Sequence, residues 1–173
     1  MCLLGSPRPH SNSAALAARF LETAAKLGAE TLNYTLSRLT YRGCQACYTC
    51  KTKLDRCVLK DDLTEVLESV QRADTLVIAT PVYYADVTGQ LKCFIDRTYS
   101  FLKPDYITNP SPSRLAPGKK LVFITTQGQR ASATAGGLTR VSSLASKLRV
   151  ISCRENSASD HTTAGLQGIS PGR

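Results

Sequence analysis

Residues 75–97 read TLVIATPVYYADVTGQLKCFIDR, and the order of residue types in them decides the fold class. TLVIAT (75–80) is an unbroken apolar run, the pattern of a strand covered on both faces in a parallel sheet. Pro81 halts it, because proline cannot donate to a strand ladder. The next residues, with Tyr83, Tyr84 and Gly89, read as a loop, and QLKCFIDRTYSFL (90–102) reads as a helix. That loop leaves a buried strand at its carboxyl end, the edge at which parallel α/β sheets bind ligands.

Working outward, CLLG (2–5) is a short buried-type strand. SNSAALAARFLETAAKLG after it reads as a helix, with Asn12 or Ser13 as cap, Gly28 as stop, and Leu16, Phe20, Ala24 and Leu27 on one face. ETLNYTL (30–36) alternates Leu32, Tyr34 and Leu36 with the period of a strand. DDLTEVLESVQRA (61–73) predicts a helix capped by Asp61 or Asp62, with Leu63, Val66, Leu67 and Val70 at i, i+3, i+4 and i+7. YITNPSPSRLAPG is a Pro- and Ser-rich surface excursion. KKLVFITT (119–126) is another buried strand. Strands alternating with helices predict an α/β protein, an open parallel sheet with helices on both faces in three layers.

A chain of 173 residues is long enough for one well-cored domain. Its 42% hydrophobic and 20% charged residues are those of an ordinary globular protein. No apolar run approaches the roughly 18–20 residues of a membrane span, and MCLLGSPRPH lacks the basic and apolar regions of a signal peptide. The expected location is cytoplasmic, with no membrane partner. There the seven cysteines are reduced thiols available for metal or redox work. The formal charge of +9 invites a nucleic-acid reading, but the charge is spread along the chain rather than gathered in a stripe, and nucleic acid is not the expected main partner.

The text changes after Gln127. All eleven Phe and Tyr residues lie at or before Phe123, and residues 129–173 carry twelve Ser or Thr and six Arg or Lys against two Asp or Glu. The expected organisation is a binding domain over 1–128 and an atypical C-terminal segment over 129–173. Two readings of that segment stay open: a polar tail with one modest helix around LTRVSSLASKLRVI, or a stretch out of its ancestral reading frame.

Two loops can hold a ligand. GSPRPHSNS (5–13) joins the first strand to the first helix, where unpaired helix N–H groups meet the hydroxyls of Ser6, Ser11 and Ser13, the Asn12 amide and the Arg8 cation. That set suits a phosphate monoester; the alternative is a turn whose Ser and Asn only cap the helix. Neither the triphosphate nor the dinucleotide glycine fingerprint is present. PVYYADVTG can cover the face of a flat heterocycle, and ITTQG (124–128) would form a third wall.

GSPRPHSNS, TPVYYADVTGQLKCFIDR and TTQG together resemble the three flavin-binding loops of the flavodoxin-like NAD(P)H-dependent FMN reductases. The resemblance runs from residue 2 to about 128. It implies a flavodoxin-like sheet and FMN as cofactor, the phosphate held by Ser6, Arg8, Ser11, Asn12 and Ser13. Pro81, Val82, Tyr83 and Tyr84 would border the isoalloxazine ring, with Thr126 and Gln127 near it. It also implies NAD(P)H or a redox protein as electron donor, a small-molecule or protein acceptor, and a homo-oligomer. The tail departs from the family pattern, which leaves the closing strand and last helix unassigned.

GCQACYTCKTKLDRC (43–57) holds Cys44, Cys47, Cys50 and Cys57 in the spacing C-x2-C-x2-C-x6-C. Three thiolates this compressed with a fourth further on suit an iron–sulfur cluster better than one zinc ion, whose sites more often use two separated C-x2-C pairs. The pattern resembles the compact cysteine motif of the iron–sulfur flavoproteins, a branch of the same superfamily, and that resemblance implies a [4Fe–4S] cluster. Lys51, Lys53, Arg56 and Lys60 would stabilise its negative charge. A metal-free NAD(P)H:FMN or quinone reductase with a packed cysteine loop is the first alternative. A non-enzymatic zinc- or nucleic-acid-binding domain is the second. No side chain presents itself as a catalytic acid, base or nucleophile; Cys93 reads as core, and Cys2 and Cys153 have no assigned role.

Overall fold

In a computed structural model of the chain, whose described residues are 1–128 and the backbone of 150–154, five parallel strands form one sheet. They are β1 (Cys2–Leu4), β2 (Asn33–Thr35), β3 (Thr75–Pro81), β4 (Lys120–Thr126) and β5 (Val150–Arg154), in the spatial order β2-β1-β3-β4-β5. The expected parallel α/β architecture is present, and this order is the flavodoxin-like one. Leu3 pairs with Tyr34 on one side and Ile78 on the other. The chain therefore runs outward to β2 and then crosses back over β1 to β3. The crevice between β1 and β3 is the switch point at which such sheets bind ligands.

β5 pairs with β4 from Leu121–Val150 to Thr125–Arg154, so the outer position left unassigned by the tail is filled by a strand. Val150 and Ile151, the end of the stretch read as a modest helix, belong to it. The remainder of the 129–173 segment, and with it both readings of its origin, lies outside the described residues.

Alternation along the strands sorts the core onto two faces. The helices are α1 (Asn12–Lys26), the single turn α2 (Thr49–Thr52) in the cysteine loop, α3 (Leu63–Arg72) and α4 (Gly89–Arg97). Leu3, Ile78, Leu121 and Phe123 point to the side covered by α3 and α4, where Leu63, Val66, Leu67, Val70, Leu91 and Phe94 complete one cluster. Burying each such side chain contributes about 1.5–3 kcal/mol. Cys2, Val77, Ala79, Val122 and Ile124 point to the other side and pack with Ala17 of α1.

Three local expectations are corrected. Ser11, not Asn12 or Ser13, caps α1, because its hydroxyl accepts from the Ala14 N–H at 3.2 Å. The buried face of α1 is Ser13 and Ala17, flanked by Leu16 and Leu21, whereas Phe20 (39% exposed) and Leu27 (83%) face outward. Small residues on that face let the helix axis approach the sheet closely, and the larger apolar side chains are turned away. The helix read over 90–102 ends at Arg97 and continues as a 3₁₀ turn over Thr98–Phe101. Among the described residues no helix is long and apolar enough to cross a membrane.

Candidate functional site

The three loops at the carboxyl edge are fastened to one another by main-chain and side-chain hydrogen bonds. The Gly5 N–H donates to the Ala79 carbonyl at 2.8 Å, joining the end of β1 to β3. The Thr88 hydroxyl donates to the Gly5 carbonyl at 2.6 Å and accepts from the Leu91 N–H, so the cap of α4 is also the tie to the first loop. The Val82 N–H donates to the Thr126 carbonyl at 2.9 Å, joining the second loop to the third. Gly5 leaves little room for a side chain there: a Cβ would lie 3.1 Å from Thr80 Oγ1 and 3.2 Å from Leu91 Cβ. Thr88 and Gly5 were not singled out as site residues from sequence.

In the first loop the hydroxyls of Ser6 and Ser13 are buried, while Arg8 and Asn12 are exposed. Ser6 Oγ accepts from the Arg8 N–H, and Ser11 and Ser13 hydroxyls bond each other at 3.2 Å. The first turn of α1 holds no acidic residue, so the helix's own side chains do not offset the partial positive charge of its N-terminus. The donor set and its electrostatics fit an anion such as a phosphate.

The second loop turns back through Tyr84 (φ +50°) and Ala85 (φ +60°), with Tyr83 and Asp86 exchanging both backbone hydrogen bonds. Two consecutive left-handed residues are the signature of a type I′ turn, normally built with Asn and Gly. Holding non-glycine residues there costs roughly 1–3 kcal/mol each, a cost found at sites where the loop's shape serves a ligand or partner. Pro81 and Val82 are half-buried against the third loop, Thr126 is buried and Gln127 half-buried. Tyr83 is exposed, and the Tyr84 ring is wholly so.

The cysteine loop lies to one side of this edge. Cys44, Cys47, Cys50 and Cys57 line one small cavity that opens to solvent, together with Tyr48, Arg97 and Tyr99. All four are free thiols; Cys44 and Cys47 are exposed, Cys50 and Cys57 half-buried. Among the described residues no three His, Cys, Asp or Glu side chains are grouped tightly enough to hold one metal ion. A tetrahedral zinc site needs sulfurs about 3.8 Å apart, from Zn–S bonds near 2.3 Å. A cluster carries its thiolates on the outer corners of a cube, further apart.

Three cations tie the loop to its surroundings. Arg97, fully buried at the end of α4, bonds the Arg42 carbonyl at 3.0 Å and the Leu59 carbonyl at 3.3 Å, bracketing the cysteines from both sides. Asp61 clamps the same guanidinium at 2.8 and 3.1 Å. Lys51 Nζ donates to the Tyr99 and Leu102 carbonyls and lies 4.0 Å over the Tyr99 ring. Arg114 donates to the Ser100, Leu102 and Cys50 carbonyls. The loop is strained within: Ala46 and Tyr48 have φ of +51° and +55°. Of the four basic residues expected around the thiols none lines the cavity: Lys51 is half-buried on the Tyr99 and Leu102 carbonyls, Lys53, Arg56 and Lys60 are exposed, and Arg56 faces Asp55.

Local electrostatics follows from these contacts. Hydrogen bonds from the Thr49 hydroxyl and backbone hold the Cys47 thiol below its usual range. Burial pushes the Arg97 guanidinium down, but Asp61 and then Cys57 outweigh it and raise its pKa. Burial likewise opposes ionisation of Asp61, and Arg97 with the Arg42 N–H reverses that and lowers it. A bond to Tyr106 pushes the Tyr99 phenol up to about 12. Arg97, Asp61 in its clamp and Arg114 were missed from sequence. The signal was present for Arg97, a cation three residues after Phe94 on the stripe Leu91, Phe94, Arg97.

The profile of the NADPH-dependent FMN reductase family matches residues 1–163. An iron–sulfur flavoprotein of Archaeoglobus fulgidus is 37% identical over 95 residues, 55% of this chain and 43% of its own length. An iron–sulfur flavoprotein of Methanosarcina thermophila is 36% identical over 94 residues, 54% of this chain and 49% of its own. The chain thus spans about half the length of the curated relatives it matches. An NAD(P)H:quinone oxidoreductase from Methanothermobacter marburgensis superposes with a TM-score of 0.66 at 19% identity, covering 90% of this chain and 81% of that one.

Proposed function

The chain belongs to the NADPH-dependent FMN reductase family, and from that premise we propose that it is an NAD(P)H-dependent flavin oxidoreductase with FMN at the carboxyl ends of β1, β3 and β4 and a [4Fe–4S] cluster on Cys44, Cys47, Cys50 and Cys57. The observation that carries the flavin reading is the fastening of all three loops into one edge through Gly5–Ala79, Thr88–Gly5 and Val82–Thr126. For the cluster it is that four free thiols line a single cavity. The names of the iron–sulfur flavoproteins similar to this chain support it.

FMN when bound supplies hydride acceptance and single-electron transfer, and a cluster supplies single-electron transfer alone. The chain's own residues bind and orient. Ser6, Ser11, Ser13, Asn12 and Arg8 would hold the phosphate with hydroxyls, an amide, the N-terminus of α1 and a cation. Pro81, Val82, Tyr83 and Tyr84 would border the ring, with Thr126 and Gln127 near it. No side chain need move a proton. The four cysteines would hold the cluster as thiolates, and Thr49 already lowers the cost of ionising Cys47.

NAD(P)H is the proposed donor and a small molecule or redox protein the acceptor. The Tyr84 ring, wholly exposed on a strained turn, can border the flavin on one side and meet a neighbouring subunit of a homo-oligomer on the other. A cytoplasmic location keeps the thiols reduced; the cysteines whose side chains are described are free.

Protein purified without oxygen tests the reading through its absorption spectrum and its FMN, iron and acid-labile sulfide contents. Flavin with iron and sulfide together supports it. Flavin alone identifies a metal-free reductase, and neither cofactor overturns the proposal.

A further inference from the structure

Among the described residues Arg97 is the one fully buried charged side chain. A cation taken out of water must be paired and hydrogen-bonded to be tolerated. Its Nη1 and Nη2 are satisfied by Asp61, Arg42 O and Leu59 O. Its Nε is buried and has no partner among the described residues. The same side chain forms part of the wall of the cysteine cavity, and Cys57 is another part of that wall.

The charge count around the cavity is lopsided. Lys51 and Arg114 anchor their cationic heads on neutral carbonyls, and Arg97 faces one carboxylate, Asp61. Beyond the Arg97–Asp61 pair, Lys51 and Arg114 leave a surplus of about two positive charges on the Cys50 side of the loop, behind the cavity wall rather than in it. A loop staple needs neither that surplus nor an unused buried N–H, which is costly to leave unmade. A [4Fe–4S]2+ core with four thiolates carries a net charge of −2, the complement of that surplus, and N–H donors to sulfur are a main lever on its potential.

We propose that Arg97 is a positioning residue for the occupant of the cysteine cavity: clamped by Asp61, it sets its charge and its spare Nε–H against the sulfur at Cys57, favouring an anionic metal–thiolate group and raising its reduction potential. This rests on the cluster reading above. Asp61 is then the opposing control, fixing the guanidinium while cancelling part of its field.

The test reconstitutes the full chain with ferrous iron and sulfide under anaerobic conditions, alongside Arg97→Lys, Arg97→Gln and Asp61→Asn. Iron and sulfide content, retention of iron against a chelator and the midpoint potential from an optical redox titration are measured. Wild type is expected to load. Arg97→Lys keeps the charge without the Nε–H and should show a lower potential with the cluster retained. Arg97→Gln should lie lower still and hold iron about 10–100-fold less well. Asp61→Asn retains the arginine and the acceptor for the Leu63 N–H, so its potential should move the other way. Should Arg97→Gln fail to fold, the opposite signs expected of Arg97→Lys and Asp61→Asn still decide. Unchanged potentials in loaded Arg97→Lys and Asp61→Asn overturn the role of Arg97 and leave the cluster standing. Wild type that takes up neither iron nor sulfide overturns the cluster reading itself.

Discussion

Thr88 donates its hydroxyl hydrogen to the carbonyl of Gly5 at 2.6 Å across 83 positions of sequence, and both groups are buried. One side chain thus caps α4 and sets its distance from the first loop. Thr88→Val keeps the shape and removes the donor. It should cost about 2–3 kcal/mol in urea unfolding, from a lost cap and an unsatisfied buried carbonyl, and weaken FMN binding alongside. Thr88→Ser should recover most of both. An unchanged unfolding midpoint in Thr88→Val would mean that the contact does not organise the edge.

Cations tie the cysteine loop to the segments beside it, and the Arg114 guanidinium bonds the Cys50, Ser100 and Leu102 carbonyls at once. Arg114→Met should therefore open residues 44–57 locally while the sheet stays closed. Hydrogen exchange is the readout: faster exchange is expected in the loop and unchanged exchange in β3 and β4. A uniform rise across the sheet would instead place Arg114 in the global core.

Cys2 lies fully buried in the first strand, and burial pushes its thiol from 9.0 up to about 11. The folded protein therefore holds a proton that the unfolded chain releases in this range. The stabilisation is complete below pH 9 and is lost as pH rises toward 11, by about 2–3 kcal/mol at 1.36 kcal/mol per pKa unit. The difference in unfolding free energy between wild type and Cys2→Ala should shrink across that window. A constant difference would show that the thiol does not titrate there.

Cys47 is exposed, and its bonds from Thr49 lower its pKa. The alkylation rate of a thiol follows its thiolate fraction, so in protein stripped of metal the iodoacetamide profile at Cys47 should reach its plateau at lower pH than an ordinary cysteine. Thr49→Val should move that plateau upward. Profiles that coincide in the two proteins would remove Thr49 as the cause.

What was legible in the sequence followed from strong periodicities. TLVIAT and KKLVFITT could only be covered strands, and Leu63, Val66, Leu67 and Val70 could only be one helix face; all four are buried. Phe20 and Leu27 misled because periodicity identifies a stripe without saying how close the helix must come to the sheet. Ser13 and Ala17 face the sheet because they are small. The left-handed turn at Tyr84–Ala85 had no sequence signal, since neither residue is Gly or Asn. The Arg97–Asp61 clamp escaped because it joins residues 36 apart through tertiary packing that local patterns do not encode. Gly5 is visible in the sequence as a turn residue, but its reason, the contact with Thr80 and Leu91, is not.

The central claim is that the segment after β1 grips the phosphate of a flavin mononucleotide, and fluorescence titration of flavin-free protein with FMN and with riboflavin tests it most directly. The two ligands share the ring and differ in the phosphate. FMN is expected to bind at least about tenfold more tightly, the worth of one charge-assisted hydrogen bond, and Ser13→Ala should narrow that gap. Equal affinities, or no quenching with either ligand, would contradict the account.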